Sequence, residues 1–105
     1  MIAVIATFKL PQRLSVEEAR RIFRSTAPKY QGVPGLVRKY YVLSEDGQSA
    51  GGVYLWRSRR DAEALYTDAW KAFVREKYGT DPTLAYLDCP VVVDNTTREI
   101  IADDR

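Results

Sequence analysis

Residues 35–65 read GLVRKYYVLSEDGQSAGGVYLWRSRRDAEAL and combine a hairpin with the start of a helix. The segments 36–44 and 50–57 are rich in β-branched and aromatic residues, which favour strands. Between them, Glu45-Asp46-Gly47-Gln48 has the composition of a tight turn. Ser58 follows at once and can cap a helix, with Asp61 three positions later. The pattern predicts two antiparallel strands that lead directly into a helix.

The sequence on either side of this segment also predicts strands and helices in turn. Residues 2–10 have the β-branched composition of a strand. Ser15 and Glu18 form a capping box, and the apolar residues after it are spaced three and four apart, as in an amphipathic helix. Pro28 predicts the end of that helix. The helix that follows Ser58 is predicted to continue without interruption to Gly79.

The last quarter of the chain completes the order of elements. Residues 83–93, after a proline, are predicted to form the fourth strand, and residues 99–102 a short terminal strand. The resulting order, βαββαβ, is that of the ferredoxin-like fold. We therefore expect an α+β protein, with two helices on one face of an antiparallel sheet, in a single domain over residues 1–105.

The composition excludes several classes of function. The chain has no histidine, which rules out Ser-His-Asp and Cys-His triads, histidine-ligated zinc and histidine-held haem. Its single cysteine, Cys89, cannot form an intramolecular disulfide. A net charge of +2 gives no reason to expect a nucleic-acid partner, and no apolar run approaches the ~20 residues of a membrane span. With no recognisable leader, we expect a cytoplasmic protein that binds neither nucleic acid nor membrane.

The strands are apolar on both faces. In the third strand, Val53 and Leu55 point one way while Tyr54 and Trp56 point the other, because successive side chains alternate. Two helices can cover only one face of a sheet. A large apolar face is rarely left in water. We therefore expect a homodimer whose sheets stack face to face, the alternative being a monomer with a few exposed apolar residues.

One segment carries a resemblance to a known family. Residues 35–41 (GLVRKYY), 51–56 (GGVYLW) and 62–64 (AEA) resemble the YdhR-like mono-oxygenases of the dimeric α/β-barrel superfamily, which are related to the antibiotic-biosynthesis mono-oxygenases. The resemblance implies a ferredoxin-like fold, an obligate dimer and a pocket between sheet and helices in each subunit. It also implies oxygenation of phenols or quinols without flavin or metal, hence no cofactor, or else haem degradation. Many relatives have a histidine where this chain reads YTDAW at 66–70, which counts against haem degradation.

Four aromatic residues are candidates for the pocket. Tyr54 and Trp56 share a strand face, and Tyr66 and Trp70 share a helix face because they are four residues apart. If that helix packs on that strand face, the rings enclose a cavity suited to a flat aromatic ligand. The same rings could instead form a packed aromatic core with hydroxyl groups at its edges.

Arg38 and Tyr40 share one face of the second strand. An arginine that points toward a core needs an anionic partner such as a phenolate or carboxylate, whereas one that points outward forms a surface ion pair. The paired glycines 51 and 52 indicate a bulge or a close approach to the backbone. The candidate substrate-binding residues are Arg38, Tyr40, Tyr54, Trp56, Tyr66 and Trp70.

The expected function is that of a cofactor-independent mono-oxygenase acting on a small aromatic substrate. The substrate would lose a proton to give an anion that reduces oxygen directly, while the protein supplies orientation and a dry cavity. The sequence identifies no general base and no metal ligand. A non-catalytic module that binds a small molecule in the same cavity explains the missing base equally well, and an isomerase or cyclase is a third hypothesis.

Overall fold

The computed structural model describes residues 1–103. Its elements follow in the order β1 (Ile2–Lys9), α1 (Val16–Tyr30), β2 (Leu36–Leu43), β3 (Ser49–Trp56), α2 (Arg59–Leu65), α3 (Asp68–Tyr78), β4 (Thr83–Asp88), β5 (Val91–Asp94) and β6 (Glu99–Ala102). Strands β1 to β4 form an antiparallel sheet in the order β2-β3-β1-β4, and β5 pairs with β6 in a separate hairpin. The predicted ferredoxin-like α+β fold is confirmed. Within residues 1–103, none of the helices has the length and apolar character needed to cross a membrane.

Helix α1 continues past the residue predicted to end it. The capping box is present, with the Ser15 hydroxyl accepting from the Glu18 amide and the Glu18 carboxylate accepting from the Ser15 amide. Pro28 lies inside the last turn, and the helix ends at Tyr30. Proline has a helical φ but no amide hydrogen, so the helix lacks one backbone hydrogen bond at this position. Burial of the Tyr30 ring in the core holds the two residues beyond the proline in the helix.

The predicted second helix is two helices. Helix α2 begins at the expected cap, where the Ser58 hydroxyl accepts from the Asp61 amide, but it ends after seven residues. Tyr66 leaves the helical conformation, and Thr67 caps α3 by accepting from the Trp70 amide at 3.2 Å. Gly79 ends α3 in the left-handed conformation, as predicted. Within residues 1–103, the sheet is therefore covered by three helices rather than two.

The predicted fourth strand is also interrupted. It breaks at Cys89 and Pro90, because proline cannot donate to a ladder. Beyond the break, β5 turns back through residues 95–98 and pairs with β6, so the expected terminal strand exists but belongs to a separate hairpin.

The two faces of the sheet have different surroundings. The inner face, which meets the helices, carries the buried residues Ile2, Val4, Ala6, Phe8, Tyr54 and Trp56. The helices add Ala19, Phe23, Tyr30, Ala62, Trp70 and Val74 to the same core. The outer face carries Ile5, Val53, Leu55 and Leu87, and none of the three helices covers it. Both faces are apolar, as predicted from the strands.

Candidate functional site

Four of the predicted site residues lie together under α2 and α3. The Tyr66 ring, at the junction between the two helices, stands edge-on to Tyr54, Trp56 and Trp70, with centroids 5.3, 5.9 and 4.9 Å away. Tyr54 and Trp56 stack at 6.3 Å. Edge-to-face and offset arrangements such as these are the favourable ones for aromatic rings. The cluster predicted from strand and helix spacing is therefore formed, although the helix that was expected to carry half of it is broken.

Both indoles in this cluster have partners for their polar atoms. The Trp56 Nε1–H donates to the Tyr66 hydroxyl at 3.0 Å, and the Trp70 Nε1–H donates to the Tyr30 hydroxyl at 3.0 Å. Burial raises the pKa of Tyr54 and Tyr66 well above the ordinary tyrosine value. These hydroxyls therefore keep their protons at neutral pH and do not act as bases.

A small cavity lies beside the cluster, between the inner face of the sheet and helices α1 and α3. Its polar lining comes from Thr26, Lys39 and tyrosine hydroxyls, and the full set of lining residues is Ala6, Phe8, Thr26, Tyr30, Lys39, Tyr41, Gly51, Gly52, Tyr54, Trp70, Phe73, Val74 and Tyr78. About 20 Å³ is open to the centre of a water molecule, room for roughly one water. Of the four clustered aromatics, Tyr54 and Trp70 border this space, whereas Trp56 and Tyr66 belong to the packed core behind it.

Lys39 brings an amine into this aromatic cavity. Its Nζ lies 3.3 Å from the ring centroid of Tyr30, 3.8 Å from that of Tyr41 and 4.7 Å from that of Tyr54. Burial, with a smaller contribution from the positive charge of Lys29, lowers the pKa of Lys39 to about 7. The side chain can therefore change its protonation state near neutral pH.

The paired glycines make room for this arrangement. A Cβ at Gly52 would meet the Tyr54 ring at 2.9 Å and the Lys39 Cε at 3.3 Å. At Gly51 a Cβ would overlap the carbonyl oxygen of Ala6 on the neighbouring strand. The expected close approach to the backbone is therefore made by the protein's own groups, and at Gly52 it leaves space for the lysine.

Arg38 and Tyr40 lie on the opposite face of the sheet from the four aromatic candidates. They do share one face of β2, as predicted, but it is the outer one. The Arg38 guanidinium donates to the Tyr40 hydroxyl at 3.3 Å and pairs with Asp94 of the β5–β6 hairpin at 3.3 Å. Arg38 and Tyr40 are exposed, and they line a groove between the sheet and that hairpin. The structure thus gives Arg38 the outward ion pair and separates it from the aromatic cavity.

A β-bulge explains why the neighbouring residues face inward instead. Leu36 pairs with Trp56, but the next pair is Arg38 with Leu55, so Val37 is an extra residue. One extra residue reverses the faces of all that follow it. Lys39 and Tyr41 therefore point to the cavity, and simple alternation from Leu36 would have placed Arg38 and Tyr40 there. Sequence reasoning missed Lys39 and Tyr30, and nothing in the local sequence reports the bulge.

The fold is shared with several solved structures. A monooxygenase from the gene ActVA-Orf6 of Streptomyces coelicolor, in complex with nanaomycin D, is 17% identical with a TM-score of 0.62, covering 82% of this chain and 84% of that one. A mutant form of SnoaB, a cofactor-independent oxygenase from Streptomyces nogalater, is 15% identical, with a TM-score of 0.60 and coverage of 84% and 91%. A "putative antibiotic biosynthesis monooxygenase" from Caulobacter crescentus CB15 is 25% identical, with a TM-score of 0.61 and coverage of 84% and 88%.

Sequence comparison gives the family. No curated protein matches the chain. The family model described as "Putative mono-oxygenase ydhR" matches residues 5–80, well over half of the sequence, and this range contains the whole cavity lining. The chain therefore belongs to the YdhR mono-oxygenase family.

Proposed function

We propose that the protein is a cofactor-independent mono-oxygenase that acts on a small phenol or quinol in the cavity between the sheet and helices α1 and α3. The observation that carries this proposal is the cavity wall, in which the rings of Tyr30, Tyr41 and Tyr54 lie around one amine and Trp70 lines the same space. Aromatic walls with few polar groups suit a flat, electron-rich ligand. Membership of the YdhR family supports oxygen chemistry at this place.

Substrate binding requires side chains to move. A ring-sized molecule does not fit into about 20 Å³. Lys39 lines this cavity and also a surface groove of about 270 Å³ along the edge strand β2. Tyr30, Lys39 and Tyr41 border both spaces, so the proposal requires these side chains to shift and admit a phenol from solvent to Tyr54 and Trp70.

The proposed reaction balances without a cofactor. For an anthrone, which is the keto tautomer of a phenol, the ring CH₂ group and O₂ give a C=O group and water, and the four electrons that O₂ accepts come from the substrate. Loss of a proton first gives an electron-rich anion, which passes an electron to O₂. The protein orients this anion, excludes water and stabilises the developing negative charge.

A second copy of the chain is part of the proposal. The outer face of the sheet exposes apolar side chains at Ile5, Val42 and Leu87, which are 36%, 40% and 48% accessible. Several large apolar side chains exposed on one sheet face are often covered by a partner. We propose that two copies pack these faces together, so that the sheets stack in a homodimer.

Oxygen consumption over a panel of dihydroxynaphthalenes and anthrones tests the function. Trp70→Phe and Trp56→Phe form a matched pair, because each removes an indole that donates to a tyrosine hydroxyl, but only Trp70 borders the cavity. We expect uptake above buffer that changes in KM or kcat with Trp70→Phe and is retained in folded Trp56→Phe. No uptake with any compound contradicts the proposal, and a phenol that binds without turnover indicates the binding module instead.

A further inference from the structure

Lys39 is isolated from acidic groups in a way that lysines usually are not. Within residues 1–103 it is the one charged side chain that lines the cavity, and no carboxylate lies within 4 Å of its Nζ. A half-buried ammonium without an acid partner loses part of its hydration, and nothing negative replaces it. Tyrosine ring faces compensate in part, because they attract a cation once it forms. Both protonation states of the amine are therefore accessible.

Among the groups that line the cavity, Lys39 is the one suited to accept a proton. Helix α1 contributes Thr26 and Tyr30, the sheet contributes Tyr41 and Tyr54, and α3 contributes Phe73 and Tyr78 to the same cavity, whereas the exposed Lys29 amine lies over the Phe73 ring and is not part of the lining. Burial raises the pKa of Tyr41, Tyr54 and Tyr78 above the ordinary tyrosine value. These phenols hold their protons, and the Phe73 ring has no group that can accept one.

We propose that Lys39 is the catalytic base that deprotonates the bound phenol, an inference that rests on the function proposed above. The phenol O–H bond breaks, its electron pair stays on oxygen, and the proton forms a new N–H bond at Nζ. The products are a phenolate and an ammonium side by side, and the tyrosine rings already lie where they stabilise that ammonium. This step supplies the anion that reacts with O₂ and fills the role for which the sequence offered no residue.

The number of protons released when a phenol binds distinguishes a base from a lysine that is already charged and only attracts the phenolate. The probe is 2-naphthol under nitrogen at about pH 8, where free phenols are neutral and the anion absorbs at longer wavelength. Absorption reports the form of the bound naphthol, and calorimetry in buffers of different ionisation enthalpy reports protons released. For the wild type we expect the anion spectrum with no net proton release, because the proton stays on Lys39. Lys39→Arg should give the anion with one proton released, and Lys39→Met should bind neutral naphthol.

The measurement on the wild type alone tests the role of Lys39, even if a variant fails to fold. Lys71→Met removes an exposed lysine on α3 and should behave as the wild type does. Naphthol bound in its neutral form, or bound as the anion with one proton released by the wild type, overturns the role of Lys39 and leaves the cavity function standing. If the wild type binds no naphthol and consumes no oxygen with the panel, the proposed function falls and the role of Lys39 falls with it.

Discussion

At the scale of single residues, Lys39 shows where sequence reasoning stops. The alternation of β2 correctly groups Arg38 with Tyr40, and the spacing of Tyr66 and Trp70 correctly predicts their contact. Which group faces the cavity depends on one bulge residue, Val37, that no composition rule identifies. The amine of Lys39 also acquires its character from three rings on different elements, so its role is a property of the fold and not of the local sequence.

The charge of Lys39 gives a pH-dependent contribution to stability. Its pKa is about 7 in the folded protein against an ordinary value of 10.5, so between these values the unfolded chain binds one more proton and stability rises with pH. Below about pH 7 the amine is protonated in both the folded and the unfolded state, and the cost of partly burying the ammonium in the folded protein is present. Relative to Lys39→Met, we expect the free energy of unfolding of the wild type to increase by at most about 1.4 kcal/mol per pH unit.

Urea unfolding at several pH values between about 6 and 9 measures this difference. Lys71→Met, at an exposed position, controls for the loss of a positive charge alone. A difference between wild type and Lys39→Met that does not vary with pH would show that the amine is not perturbed by burial.

At the scale of elements, the residues that cap helices were easier to predict from the sequence than the point where a helix is interrupted. Ser15, Ser58 and Gly79 act as predicted, since each satisfies backbone groups by local contacts that a short motif encodes. The break at Thr67 was missed because the apolar stripe continues across it. Its signal was present, however: a threonine followed by an acidic residue is a typical helix start.

Loss of the Thr67 cap should loosen α3 and the wall it contributes. Thr67→Ala removes the acceptor for the Trp70 amide and should cost about 1 kcal/mol of stability. Thr67→Ser keeps that oxygen and should recover most of the loss. Chemical denaturation compares the three proteins, and equal stability of Thr67→Ala and wild type would mean that α2 and α3 do not need this cap.

At the scale of the whole molecule, the helices of the same chain bury the apolar inner face of the sheet, but they do not bury the apolar outer face. The order of elements was predictable because each strand and helix has its own start and stop residues, and the sheet topology followed from that order. Two-sided apolar strands predicted a partner for the outer face, but the area and geometry of such an interface depend on contacts that a single sequence does not contain.

A charge on the outer face should separate the proposed dimer. Ile5 lies on a central strand of that face, whereas Val16 is exposed on α1. Ile5→Asp should therefore sediment as a monomer at concentrations where the wild type and Val16→Asp sediment as dimers. A wild type that sediments as a compact monomer at micromolar concentration would contradict the stacked sheets directly.

Isotope labelling tests the oxygenase function most directly. The purified protein is treated with a chelator and checked for the absence of flavin absorbance. It is then mixed with an anthrone or dihydroxynaphthalene under ¹⁸O₂, and mass spectrometry measures the ¹⁸O content of the product. We expect a product that carries one ¹⁸O atom, formed faster than in buffer and more slowly with Lys39→Met. A product without the label, or labelled at the same rate in buffer alone, would contradict it.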